Sequence, residues 1–298
     1  MSDATGSPAE TPPPAQADFA IHAYGPIARG AAVALRLIAL LNILYLAAFI
    51  VLDIVTGSRG APPLQVAMGL ASFSGGPFLL ALLIAHAGKG QLAIEPEKLV
   101  LTLRRERFEV PLASILAIRP FLLPLPGPGI RLVLASNRSF ERRLVLPDPA
   151  VLLSALGEAL PSAQSALAHP AIRFATARRT HGRRRWPYFV VKYGLVPLVF
   201  AIILFRLHQY IMYGGAFGQY HIYGLGSYLR AFLLRWTGVA GGLVVYAGLV
   251  RFAVEVVSLG GTYLFAARAR GIRRATEIVV DLAYFVVIPM YVLARLLG

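Results

Sequence analysis

Five ionisable residues fall within apolar stretches where a charge is costly: Lys192, Arg251, Glu255, Glu277 and Asp281. Arg251 and Glu255 are spaced i,i+4, as are Glu277 and Asp281, so on helices each pair shares one face. Counted from the nearest basic boundaries, all five reach a similar depth. They are therefore expected to form one polar cluster, with Lys192 or Arg251 facing Asp281. Charges in apolar helices are rare and pair with one another. Two roles suit such a cluster: interhelical ion pairs that fix a bundle, or a site handling a proton, an ion or a lipid headgroup.

Two further groups are basic. Arg104, Arg105 and Arg107 alternate with Glu106 and Glu109 in one short hairpin, which reads as a solvated turn or a contact for lipid or partner. Arg173, Arg178, Arg179, Arg183, Arg184 and Arg185 immediately precede an apolar run. Arginines placed there set orientation and attract an anionic leaflet, at about 1 kcal/mol each. His208 and His221 lie in a Tyr- and Gly-rich stretch. They would suit a metal or tetrapyrrole, but interfacial hydrogen bonding is the expected role, and no cofactor or metal is expected. There is no phosphate-binding Gly-Lys loop, Gly-x-Ser-x-Gly elbow or His-Glu-x-x-His. Ser72 and Ser74 lack a histidine at matching depth, which disfavours an intramembrane serine protease. No catalytic residue is assigned.

The elements that would carry these residues follow from hydropathy. Of 298 residues, 57% are hydrophobic and 14% charged, against roughly 25% charged in an average soluble domain. With several apolar runs near 20 residues, the chain reads as an integral membrane protein. The net charge of +15 comes from 29 basic residues against 14 acidic. Its arginine richness fits a GC-rich bacterial composition and positive-inside topology better than nucleic-acid binding, which is not expected. Cys is absent, which excludes disulfides, thiol catalysis and Cys-ligated metals.

Residues 1–30 are expected to be a disordered tail, since Met1–Ala17 is low in core-forming residues and has no signal-peptide pattern. Residues 31–86 read as a transmembrane hairpin, spans Ala31–Ile54 and Leu64–His86 about the turn 57–63. Asn42 is expected to bond a neighbouring helix, and Gly75-Gly76-Pro77 to kink the second span. Residues 87–162 change period: alternating Leu92/Ile94, Leu99/Leu101/Leu103 and Phe108/Val110/Leu112 predict strands. Six short strands precede a helix capped by Asp148-Pro149, with Leu152, Leu153, Leu156 and Leu160 on one face. Residues 163–186 read as a polybasic juxtamembrane linker. Residues 187–298 read as three spans: Pro187–Phe205, Arg230 to about Val257, and Thr276–Leu297. The outer loop 206–230 joins the first two.

The run Val110-Pro111-Leu112-Ala113-Ser114-Ile115, and the hairpin about Ser136–Ser139 leading through Pro147-Asp148-Pro149 into a helix, resemble bacterial pleckstrin-homology-like (PH-like) domains of membrane proteins. The resemblance implies a small β-barrel or bent sheet with a C-terminal helix, and a binding or assembly role rather than an activity.

The expected fold class is thus an α+β integral membrane protein: about five transmembrane helices and an inserted PH-like domain. Placing the basic clusters on one side puts the N-terminus and β domain in the cytoplasm of a bacterium, at its inner membrane, and the C-terminus outside. The expected function is that of a non-enzymatic scaffold or accessory subunit whose β domain binds a protein partner or anionic lipid. The alternative is a transporter or enzyme using the charge cluster.

Overall fold

A computed structural model describes residues 17–56, 63–182, 186–287, 289, 290 and 294. The turn at 57–62, Arg183, Arg184, Arg185 and most of the fifth expected span beyond residue 290 lie outside the described residues.

The chain begins with strand β1 (Ala17–Tyr24). Helices α1 (Pro26–Thr56), α2 (Pro63–Gly69) and α3 (Gly76–Ala87) follow, with a π turn, Leu70–Gly75, between the last two. Strands β2 (Lys89–Ile94), β3 (Lys98–Leu103), β4 (Arg107–Pro111), β5 (Ile115–Pro120), β6 (Gly129–Leu134) and β7 (Arg143–Val145) then build a sheet. Its order is β4-β3-β2-β1-β7-β6-β5, and every neighbouring pair is antiparallel. The two edge strands β4 and β5 are joined only by Leu112–Ser114, a reach of about 10 Å. The edges must therefore approach each other at that end, and the sheet is a curled half-barrel.

Of the tail expected over residues 1–30, residues 1–16 lie outside the described residues; the remainder is corrected here, since Ala17–Tyr24 is β1, the central strand of the sheet, and α1 begins at Pro26. The segment Ala17–Tyr24 is alanine-rich and its sheet partners lie more than 60 residues away, so it carries little local strand signal. Its alternation places Ile21 and Ala23 in the core.

The apolar hairpin α1–α3 is inserted between two adjacent strands. His22 pairs with Lys89, and Ala23 N–H donates to Gly88 O at 2.8 Å. Thus 64 residues sit where a two-residue turn would serve. A Cβ on Gly88 would lie 2.8 Å from Ala23 O, so only glycine lets α3 meet the strand so closely. Tyr24, Ala32, Ala85, Phe121 and Val145 pack as a small cluster beneath the hairpin.

The inner face of the sheet is covered by α4 (Pro149–Leu156). Asp148 Oδ1 accepts from Ala150 N at 3.2 Å as its N-cap, and Leu152, Leu153 and Leu156 are fully buried, each worth roughly 2 kcal/mol. Residues 163–186, expected as a linker, are instead largely helical: α5 (Pro161–Leu167) and α6 (Pro170–Gly182). Ala171, Ile172, Phe174, Ala175 and Ala177 are buried, so one face of α6 packs while Arg173 and Arg179 lie on the exposed side.

The rest is helix: α7 (Trp186–Val190), a π turn Val191–Leu195, α8 (Val196–Tyr213), α9 (Gly218–Leu264), a 3-10 turn Ala266–Arg268, α10 (Ala269–Leu282) and a π turn Ala283–Val287. The three π turns precede Pro77, Pro197 and Pro289. Proline has no N–H and its ring crowds the carbonyl four residues back, so the preceding turn widens. In two of them the residue before proline bonds five back, Gly76 to Ala71 and Val196 to Val191. The expected loop 206–230 is also corrected. It is mostly helix, broken at Gly214 (φ 71°), which ends α8 in the left-handed conformation, and at Gly224 (φ 79°).

Among the described residues, four helical segments are long and apolar enough to cross a membrane: Pro26–Asp53, Leu64–Ala87, Trp186–Tyr213 and Gly218–Leu264. Their outward sides carry exposed Leu41, Leu83, Ile203 and Leu233.

Candidate functional site

A polar stripe runs down the last third of α9 at Arg251, Glu255, Ser258 and Thr262, at helical spacing. It meets Arg273, Thr276 and Glu277 of α10, with Arg178 of α6 closing one side. Glu255 Oε1 lies 2.7 Å from Arg251 Nη2, 3.0 Å from Arg273 Nη2 and 3.5 Å from Arg178 Nε. Glu277 Oε1 lies 2.8 Å from Arg251 Nη1 and 2.6 Å from Arg273 Nη2. Ser258 and Thr276 hydroxyls are 2.9 Å apart, and Thr262 donates to Ser258 O at 2.7 Å.

Arg273 is the centre of this cluster. It is 1% exposed, and its Nε and Nη1 have no hydrogen-bond partner among the described residues. Three guanidiniums face two carboxylates, so the cluster is locally cationic. Burial pushes Arg178 below its ordinary value while Glu255 pulls it back up. Arginine does not release a proton in proteins. A proton relay here would have to protonate a carboxylate and break its ion pairs. The arrangement suits a clamp joining α6, α9 and α10.

Lys192 and Asp281 form a second grouping. Tyr188 Oη donates to Asp281 Oδ1 at 2.9 Å, and the Tyr188 ring centroid is 5.6 Å from Lys192 Nζ. Lys192 is buried, with Nζ 4.5 Å from the Tyr284 ring centroid, a cation–π contact. Tyr284 Oη donates to Lys192 O at 2.6 Å. In the π turn that carbonyl would next be served by Pro197, which has no N–H, so the tyrosine hydroxyl supplies the missing donor. Of the five charges expected in one cluster, Arg251, Glu255 and Glu277 gather with Arg178 and Arg273, while Lys192 and Asp281 both approach Tyr188.

Beyond the break at Gly224, α9 runs about 60 Å to Leu264 at 1.5 Å per residue, about twice a hydrocarbon core of ~30 Å. Part of it must stand outside such a layer. The end bearing Arg251–Leu264 reaches the loop between β5 and β6, where Tyr263 Oη donates to Leu122 O at 2.6 Å. The Tyr263 ring meets His169 edge-on with centroids 6.2 Å apart.

Of the basic groups, Arg104 and Arg105 are exposed on the β3–β4 turn and line a cavity with Tyr24, Gly88 and Arg142 at the root of the hairpin. Arg107 pairs with Glu109 at 3.0 Å. Arg179 pairs with Asp148 at 3.4 Å, tying α6 to the cap of α4. His208 and His221 stand on different helices against Tyr213 and Tyr220. Among the described residues no three His, Cys, Asp or Glu side chains come together as a metal site.

The residues that sequence reasoning missed are Arg273, Tyr188, Tyr284 and the Gln209–Gln219 pair. Gln209 is fully buried and donates to Gln219 Oε1 at 2.7 Å, clasping α8 to α9. Arg273 sits four residues before Glu277, on the same helix face, but shares its run with Arg268, Arg270 and Arg274. Comparison with protein-family profiles, with curated proteins and with solved structures finds no match.

Proposed function

We propose that the chain is a non-enzymatic integral membrane protein, a scaffold or accessory subunit, that holds a PH-like β domain at the inner surface of a bacterial membrane. There the domain binds a protein partner or anionic lipid headgroups. One observation carries this reading: the apolar hairpin α1–α3 interrupts the sheet between β1 and β2. A sheet so built cannot move far from the layer that its own hairpin enters. The strand order and the capping helix α4 support the PH-like assignment, and the exposed apolar sides of the long helices support insertion. The arginine–glutamate clamp favours a structural role for the buried charges over transport or catalysis.

The chain has no cysteine, so single introduced cysteines report orientation cleanly. In intact cells, Ser227→Cys is expected to react with a membrane-impermeant maleimide. Ser139→Cys is expected to react only after lysis. The reverse pattern overturns the orientation. After gentle detergent extraction, a partner protein or anionic lipid is expected to remain bound. A bare monomer whose transport or enzymatic activity is lost in Asp281→Asn, with the fold intact, would establish the alternative instead.

A further inference from the structure

Three arginines form a row across the outer face of the sheet. Arg119 of β5 is directly opposite Arg131 of β6. Ile130 pairs with Leu144, so Arg131 faces Arg143 of β7 one position on, and Arg143 in turn pairs with Tyr24 of β1. The alternating neighbours Ile118, Ile130, Leu132 and Leu144 are in the core, which turns all three arginines outward. Like charges directly opposite on adjacent strands destabilise a sheet. None of the ion pairs among the described residues includes Arg119, Arg131 or Arg143, nor the nearby Arg29. Four cations so placed with no carboxylate among them make a site for an anion.

The surroundings give that anion its character. Arg29, Arg119, Arg131 and Arg143 line a cavity of about 410 Å³. Arg29 is held in place, its guanidinium 3.9 Å from the Phe121 ring centroid and donating to Leu125 O at 3.2 Å. The same cavity is bordered by Leu122 and Leu123, 68% and 55% exposed. From Arg143 an adjoining groove runs up α1 past Gly30, Val33, Ala34 and Leu37, spaced i, i+3, i+4, i+7 on one face. A charged floor, an apolar rim and an apolar groove leading toward the hairpin match an amphiphile, with phosphate at one end and hydrocarbon at the other. Guanidinium is suited to phosphate by its fork of donors.

We propose that the Arg119–Arg131–Arg143 row, with Arg29, binds the phosphate of an anionic phospholipid whose acyl chain lies along α1. This rests on the membrane-surface reading above and gives it a site, distinct from the β3–β4 turn. The test uses the full chain in an uncharged detergent. Native mass spectrometry and thermal unfolding are followed with phosphatidylglycerol, phosphatidylcholine or inorganic phosphate added. Phosphatidylglycerol is expected to stay bound and raise the melting temperature, well beyond either other probe.

Replacing all three strand arginines, as R119Q/R131Q/R143Q, is expected to weaken that binding on the order of 100-fold, about fivefold per arginine. The melting temperature of the lipid-free protein should be unchanged or higher, because the repulsion is gone. Undiminished lipid binding in this variant, or a lipid-free protein that unfolds at lower temperature, overturns the proposal. Inorganic phosphate alone reproducing the whole effect overturns the lipid assignment. If Arg104→Gln/Arg105→Gln abolishes binding and the triple variant does not, the site is wrong while the lipid-binding reading stands. If no anionic lipid binds either protein, the lipid arm of that reading fails too.

Discussion

Arg273 is a guanidinium with almost no water and only two carboxylates, both reached through a single nitrogen. Such a residue adds little net stability, because desolvation offsets its ion pairs. Its removal and the removal of its partner differ sharply. Glu277→Gln takes away the closer carboxylate and leaves Arg273 buried. A loss of about 3–5 kcal/mol is expected, the cost of breaking a buried pair from one side. Arg273→Met combined with Glu277→Leu removes both charges at similar volume, and stability should return to near the parent value. Denaturant unfolding in detergent measures both. If the double variant is as unstable as Glu277→Gln, the cluster contributes net binding energy and does more than fix the helices. The two acids were visible in the sequence because charges stand out in apolar runs. Arg273 was not, since it belongs to the run Arg268–Arg274 and only packing shows which of those arginines turns inward.

The elements that hold the site are punctuated by capping groups, and α6 is the informative case. His169 Nδ1 accepts from Ala171 N at 3.2 Å, so the ring caps the helix only when that nitrogen is unprotonated. Burial lowers the His169 pKa from its ordinary value. With the folded pKa below the unfolded one, the unfolded chain binds more protons in that interval, so stability falls as pH drops below about 6.5. His169→Asn keeps an acceptor at the cap and cannot titrate. Between pH 8 and pH 5 the melting temperature of His169→Asn should fall less than that of the parent. Equal slopes would assign the acid sensitivity elsewhere. The α6 helix itself was hidden in the sequence by its arginines, which read as a solvated stretch. The buried alanines between them carry no hydropathy signal strong enough to announce packing. The irregular turn ahead of Pro77 and the Asn42 bond across the hairpin were legible, because proline geometry and a lone amide in an apolar helix act locally. Asn42 Nδ2 donates to Ser74 Oγ at 2.8 Å and to Gly69 O at 3.1 Å.

For the molecule as a whole, the decisive fact is that sheet and helices interrupt each other. The alternating strands β2–β7 and the α4 cap could be read from a period of two and from Asp148-Pro149. The partner that unites them could not, because β1 lies on the far side of two long apolar helices, and no local pattern links Ile21 to Leu92. Without β1 the sheet separates into β4-β3-β2 and β7-β6-β5, each with a half-open core. Residues 88–182 alone are therefore expected to show weak amide dispersion and no cooperative unfolding. Ala23 pairs with Gly88 across the junction, the position at which a two-residue Asn-Gly turn closes a hairpin. Residues 17–23 joined through Asn-Gly to residues 88–182 should then restore a cooperative fold with dispersed amide signals. If that chain stays unfolded while residues 88–182 alone fold, β1 is dispensable, and the hairpin is tethered to the sheet without being built into it.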